Sequence, residues 1–517
     1  MRVGRARRGV RGAAVLAAGL AAAVGLGACS VPSGSPASTS SRPSATSSAA
    51  VLPAGPRPNV VLVLTDDLST NLLPYMPNVQ ALQRRGMTFS NYFVTDSLCC
   101  PSRASLLTGG YPHTTGVFTN GGKDGGWRVF RAAGGEEQTF ATALHGAGYR
   151  TGLLGKYLNG YQRPVDRLAP IPPGWDEWVA ASTGEGYSGY DYHLNDNGRM
   201  VFRGHREQDY ITDVLSDRAV RFVRDSAAAP FLLEVAVYAP HHPFTPPKRH
   251  ENAFPGLAMP RTAAYNRAAR PTDPQWLQGI PPLTKADGRQ VDVEFRKRAQ
   301  AALGVDDLVG RLTKTLQQQG ILDRTYFVFT SDNGFHLGER RLRMGKETPY
   351  DHDVRVPLVV AGPGVAPGST TDLLTENVDL APTFTELAGA APTTFVNGRS
   401  LVPVLRGGTP SVWRKAVLVE HHHAGSPAQK GPDRENQVTP PDYTALRFPT
   451  ALYVEYATGD VEYHDLTTDP LQLTNTAAGL DPAVRQALHG SLGALAGCVG
   501  AQGCWQAATG ATQGPAS

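Results

Sequence analysis

Two pairs of hard oxygen donors, Asp66-Asp67 and Asp332-Asn333, are the residues of this chain best suited to holding a cation. Carboxylate and amide oxygens suit calcium or magnesium, whereas zinc favours histidine or cysteine. An acidic pair at a strand end also caps a following helix, so one pair alone supports either reading. Two such pairs favour the cation. The third feature is the run Cys99-Cys100-Pro101-Ser102-Arg103-Ala104-Ser105-Leu106-Leu107-Thr108-Gly109. Taken blandly, Cys99-Cys100 is a buried apolar pair or a vicinal disulfide. Taken chemically, a helix starting at Pro101-Ser102 would put Arg103 one turn after Cys99, its guanidinium reaching back to Cys99 and the carboxylates. Amides at that helix N-terminus would favour an anion. An anionic ester needs such surroundings: a strong oxygen nucleophile, cations around its oxygens and an acid for the leaving alcohol.

The elements that must position these groups are apolar runs. Asn59-Val60-Val61-Leu62-Val63-Leu64-Thr65 leads into Asp66, and Thr325-Tyr326-Phe327-Val328-Phe329-Thr330 leads through Ser331 into Asp332. Such continuous aliphatic and β-branched runs predict buried parallel strands. Open α/β sheets carry their sites at the carboxyl ends of strands, where both donor pairs fall. A third run, Phe231–Val237, feeds Ala239-Pro240-His241-His242-Pro243-Phe244. Glu420-His421-His422-His423 has metal-like residue types, but the Ala-Gly-Ser-Pro and charged Pro-rich stretch behind it predicts a loop, either exposed or bordering a pocket. His113, after Tyr111-Pro112, is expected to be structural.

With 517 residues, 41% hydrophobic and 18% charged, the chain can bury a large core and form one large domain plus a smaller one. A net charge of +4, with no basic block outside the extreme N-terminus, argues against nucleic acid as a partner. That N-terminus is expected to be a targeting segment: Arg2, Arg5, Arg7, Arg8 and Arg11 precede an apolar stretch ending at Leu26-Gly27-Ala28-Cys29, which resembles a bacterial lipobox. Cleavage before Cys29 would leave a lipid-anchored thiol, and the Ser/Pro-rich residues 29–57 predict a flexible tether. An ordinary secretory signal is the alternative. The apolar run is too short for a permanent span. Cys498 and Cys504 suit a small disulfide loop in an exported protein, and a reduced pair fits the sequence as well.

The cysteine run resembles the activating motif of the type I, formylglycine-dependent sulfatases, in which the first cysteine of Cys-x-Pro-Ser-Arg is oxidised to formylglycine. The resemblance makes Cys99 the nucleophile and implies Asp66, Asp67, Asp332 and Asn333 as ligands of a divalent cation, calcium or alternatively magnesium, with modified Cys99 completing the shell. Gly155-Lys156-Tyr157-Leu158-Asn159-Gly160-Tyr161 resembles the family segment that supplies a sulfate-binding lysine, Lys156. It departs from the commoner Gly-Lys-Trp-His, since Leu158 occupies the histidine position. This variant looks like the subgroup acting on 6-sulfated glucosamine. Ala239-Pro240-His241-His242-Pro243 resembles the loop whose histidine protonates the leaving oxygen, here His241. Gly345-Lys346-Glu347-Thr348-Pro349-Tyr350 matches the second lysine segment, with Arg355-Val356-Pro357 as scaffold. Tyr463-His464-Asp465-Leu466-Thr467-Thr468-Asp469-Pro470 resembles a C-terminal turn of the same family.

The expected fold is therefore α/β, an alkaline-phosphatase-like large mixed sheet between helices with a smaller C-terminal α+β subdomain. The expected division is a signal peptide at 1–28, the tether at 29–57, a catalytic domain at 58–393 and the subdomain at 394–517. The resemblance implies an exported sulfatase acting on a sulfated carbohydrate or another sulfate ester. It also implies a formylglycine-generating enzyme as partner and membrane contact through the lipid anchor only. Two rivals stand beside it: a phosphonate monoester or phosphodiester hydrolase of the same superfamily, and a non-catalytic lipoprotein that binds sulfated glycans.

Overall fold

Valine and leucine alternate along Asn59–Thr65 with no polar side, and the fold shows why: the strand is the middle of a sheet covered on both faces. The computed structural model describes residues 57–161, 168–181, 184–423 and 438–513. The leader, Cys29 and nearly all of the tether lie outside the described residues, as does the Pro-rich stretch after His423. In chain order the strands are β1 (Asn59–Thr65), β2 (Met87–Phe89), β3 (Tyr92–Phe93), β4 (Arg150–Gly155), β5 (Glu177–Ala181) and β6 (Tyr192–Asp196). Next come β7 (Arg199–Arg203), β8 (Phe231–Ala236), β9 (Thr325–Ser331), β10 (Leu358–Ala361), β11 (Ser369–Thr371) and β12 (Thr375–Glu376). The last four are β13 (Val417–His421), β14 (Tyr443–Arg447), β15 (Ala451–Tyr456) and β16 (Val461–Asp465).

Ten of these form one mixed sheet in the order β11-β2-β10-β9-β1-β8-β4-β5-β6-β7. Its centre, β9-β1-β8-β4-β5, is parallel, and antiparallel pairs flank it on both sides. Alternate residues of β1 feed two separate cores. Val60, Leu62 and Leu64 join one with Leu106, Leu107, Phe140 and Phe384; Val61 and Val63 join the other with Leu215, Phe222, Phe295 and Val305. Each buried Val or Leu contributes about 1.5–3 kcal/mol, which is why a charge anywhere within β1 would be intolerable.

The helices of the second face include Ile211–Ser226 and the long Lys285–Gln318. The latter starts at a reciprocal cap: the Asp287 amide donates to Thr284 Oγ1, and Thr284 N donates back to Asp287 Oδ2 at 2.9 Å.

Strands β13-β14-β15-β16 form a small antiparallel sheet. One face (Val417, Val419, Ala445, Leu452, Val454) merges with the main core; the other packs on Leu488, Leu492 and Leu495 of the helix Pro482–Ala496. A Cys498–Cys504 disulfide joins that helix to the next, Gly500–Gly510, deciding between the two states the sequence allowed.

The segment Glu420–His423 differs from the expected loop. Glu420 and His421 end β13 and are buried; the Glu420 amide donates to Thr95 O at 2.8 Å, and His421 Nδ1 lies 3.3 Å from Asp96 Oδ1. His422 stacks on Phe118 with ring centroids 3.9 Å apart. The pairing partner is more than 300 residues away in sequence, so no local pattern announces it. His113 is structural, as expected: its Nδ1 meets Glu420 Oε2 at 2.8 Å and its Nε2 meets Cys498 O at 3.1 Å.

Candidate active site

Register places the site. Because Thr65 pairs with Ser331 across β1 and β9, the residues that follow, Asp66-Asp67 and Asp332-Asn333, leave the sheet side by side. The same edge continues through β8, which leads to His241, and β4, whose Gly155 pairs with Ala236 and precedes Lys156. Gly155 has φ +117°, and a Cβ there would lie 1.9 Å from Ala236 O. Only glycine lets the chain turn there, and the next amide, Lys156 N, then donates to Ala236 O at 2.7 Å.

The cysteine run forms the helix Cys99–Thr108, every residue of which is buried. It starts at Cys99, two residues earlier than expected, with Pro101 inside the first turn where no amide donor is required. Ser102 anchors it: the hydroxyl donates to Asp332 O, while Asn377 Nδ2 donates to Ser102 O at 3.0 Å. Cys100 turns away from the site, its amide donating to Asn120 Oδ1 and burial pushing its thiol up to about 12.

Every residue expected of the site converges here. Cys99 Sγ lies 2.8 Å from Lys346 Nζ and donates to Asp66 Oδ1 at 3.6 Å. Lys346 Nζ also meets Asp67 Oδ1 at 2.6 Å, and Lys156 Nζ meets Asp66 Oδ2 at 2.5 Å. Arg103 donates through Nε to Asp332 Oδ2 at 2.8 Å, with Nη2 3.8 Å from Asp66 Oδ2. His241 Nε2 stands 3.6 Å from Asp67 Oδ2, and its Nδ1 is 2.8 Å from His242 O. All these groups are buried. Burial alone would strip the lysines of charge, but the neighbouring carboxylates outweigh it and hold both well above the ordinary lysine range. Asp66 is held below the usual carboxylate range despite its burial, through Lys156, His241 and Arg103.

The donor set fits a hard cation. Asp67 Oδ2 and Asn333 Oδ1 are buried oxygens with no hydrogen-bond partner, while Asn333 Nδ2 donates to Asp67 Oδ1 at 2.7 Å and so turns its oxygen outward. Asp66, Asp67, Cys99 and His241 each offer a donor atom within 4.8 Å of one another. Asp332 stands outside that quartet, its oxygens facing Arg103 Nε and the Asp67 amide.

Three supporting residues escaped the sequence reading. Asp67 is left-handed (φ +63°), and its carbonyl accepts a 2.6 Å bond from Arg298, a buried guanidinium of the long helix that burial lowers to about 10. Glu347, beside Lys346, is also left-handed (φ +81°); its amide donates to Ser97 O and its carbonyl accepts from Tyr443 Oη at 3.0 Å. Tyr443 sits on β14, so the small sheet steadies the second lysine. Tyr187, from the turn Gly184–Ser188, lies against His241 and Lys156. Leu158, the departure from the common pattern, is buried in the main core.

A parallel sheet edge that gathers carboxylates, three cations and a histidine around one cysteine defines an alkaline-phosphatase-like ester hydrolase. The chain belongs to the sulfatase family: the sulfatase family model matches residues 58–390, and the model for the N-sulphoglucosamine sulphohydrolase C-terminal region matches residues 338–495. It is accordingly a sulfuric ester hydrolase. Among curated relatives it is 37% identical over 478 residues to the N-acetylglucosamine-6-sulfatase of Homo sapiens, covering 86% of this chain and 85% of that protein. A solved structure described as in complex with its substrate D-glucosamine-2-N,6-O-disulfate matches with TM-score 0.69 and 25% identity, covering 83% of this chain and 95% of the other. The phosphonate monoester hydrolase of Agrobacterium radiobacter, at TM-score 0.63 and 22% identity over 84% of this chain and 94% of the other, shares the fold alone.

Proposed function

We propose that the chain hydrolyses sulfate monoesters of sulfated sugars, 6-O-sulfated glucosamine foremost. The observation that carries the reading is the convergence of Lys156, Lys346 and Arg103 on a cysteine flanked by two carboxylate-bearing strand ends. Similarity to the human N-acetylglucosamine-6-sulfatase and to the disulfated-glucosamine complex supports the choice of sugar.

Converted to formylglycine by a modifying enzyme, residue 99 would supply a hydrated aldehyde as oxygen nucleophile. A divalent cation, calcium before magnesium, would be held by Asp66, Asp67, Asp332, Asn333 and residue 99 and would draw charge from the sulfuryl oxygens. Lys346 and Lys156 neutralise the remaining charge from two sides, and their paired carboxylates keep them protonated. Arg103 fixes Asp332 and, through its Nη1 bond to Lys156 O at 3.0 Å, the strand end that carries Lys156. His241 donates Nδ1–H to its neighbour's carbonyl, which leaves Nε2 to carry the proton for the leaving alcohol.

Among the described residues no helix is long and apolar enough to cross a membrane. We infer export with anchoring through lipidated Cys29, a tether over 29–57, a catalytic domain over 58–393 and a subdomain over 394–517. The test is a substrate panel on one preparation: N-acetylglucosamine 6-sulfate, a phosphodiester and a phosphonate monoester. The expected result is the largest kcat/KM on the sugar sulfate; a larger value on either phosphorus ester would give the site to the rival hydrolase.

A further inference from the structure

Tyr187 lies beside His241, the acid proposed for the leaving alcohol, and no sequence motif marks it. Its ring centroid lies 4.5 Å from that of His241 at an interplanar angle of 41°, and 5.1 Å from Lys156 Nζ. Behind it, the ring meets Tyr238 edge-on at 5.2 Å and 84°. Tyr238 is buried and lies two residues past the end of β8, so the platform rests close to the sheet. The approach is close, since a Cβ on Gly186 would lie 2.8 Å from Tyr238 Cζ.

His241 is thus fixed by two constraints of different kinds. The Nδ1 bond to His242 O ties one edge of the imidazole to its own loop, and rotation about that edge is opposed by the Tyr187 face. The same ring holds the Lys156 ammonium by its π-electrons. We propose that Tyr187 is the positioning residue of the leaving-group side, keeping the imidazole plane of His241 in register with the departing oxygen, while Lys156 is held in place by Asp66 at 2.5 Å. This rests on the reading of His241 as the acid.

The consequence depends on the leaving group. A sugar alkoxide departs only with a proton, so a misaligned donor slows it. A 4-nitrophenolate departs without one and tolerates the misalignment. A ring that merely stabilised the fold would lower both rates alike.

The test compares kcat and KM for N-acetylglucosamine 6-sulfate and 4-nitrophenyl sulfate, using full-length enzyme whose residue 99 has been matured in its native host. Tyr187→Phe keeps the ring and should stay within about threefold of wild type on both. Tyr187→Leu should lose on the order of 10–10²-fold in kcat on the sugar sulfate and less than about threefold on the aryl ester. Tyr187→Gln, a polar replacement for a half-exposed residue, guards against a folding defect in the leucine variant and should show the same split. Equal losses on both esters, or no loss in either variant, would overturn the proposal. His241→Asn separates the two readings. If it lacks the split, the acid assignment fails; if it shows the split and the Tyr187 variants do not, only the positioning role fails.

Discussion

The floor and the wall of this site are built differently. The floor consists of Asp66-Asp67, Asp332-Asn333 and the helix carrying Cys99 and Arg103, all set by neighbouring parallel strands and a fully buried helix. The wall consists of His241, Tyr187 and the Lys346 segment, which leave regular structure and are steadied by side-chain and loop contacts: a tilted ring, the Tyr443 hydroxyl, a loop carbonyl. A sheet edge cannot move one carboxylate without moving its neighbour, so the floor is suited to chemistry common to every substrate. Loop residues exchange one at a time, so the wall is suited to choosing the leaving group.

The difference can be broken from the floor first. Cys99→Ala should reduce sulfate ester hydrolysis to background while circular dichroism and Tm stay at wild-type values, because a small buried side chain is replaced by a smaller one. Asp67→Ala comes next: it removes the partner of Lys346 and Asn333, and the expected loss in kcat/KM is on the order of 10²–10³-fold. Chelator treatment of wild-type enzyme should give a loss of similar size, reversed by added calcium, whereas the Asp67 variant should not respond to calcium.

On the wall the effects shrink. Tyr443→Phe deletes one hydrogen bond to a strained carbonyl, so unfolding should cost about 1 kcal/mol less and kcat should fall by less than about tenfold. Denaturant melts and steady-state rates on the same preparation check both. Farthest from the chemistry, Cys498→Ser opens the short loop beneath the small sheet. It should lower stability by about 2 kcal/mol and leave kcat unchanged.

Legibility divides along the same line. The floor could be read because each strand is an uninterrupted apolar run and each donor pair sits where the run ends; the spacing of Cys99, Pro101, Ser102 and Arg103 added the helix. The wall could not. Arg298 lies in the run Arg296-Lys297-Arg298, which looks like a solvated helix face until the long helix packs across Asp67. Tyr443 and Glu347 meet only when the small sheet docks on the large one, and Tyr187 lies in a glycine-rich turn with no pattern of its own. Glu420-His421 was misjudged as loop for the same reason, its hydrogen bonds being supplied by Thr95 and Asp96 from the other end of the chain.

The central claim is that Cys99 is the precursor of the nucleophile and that the floor exists to serve it. Peptide mass spectrometry on the fragment containing Cys99, from protein made in its native host, tests this most directly. A mass lowered by conversion of the thiol to formylglycine, with Cys100 intact, is the predicted result. Two unmodified cysteines in enzyme that still hydrolyses sulfate esters would contradict it.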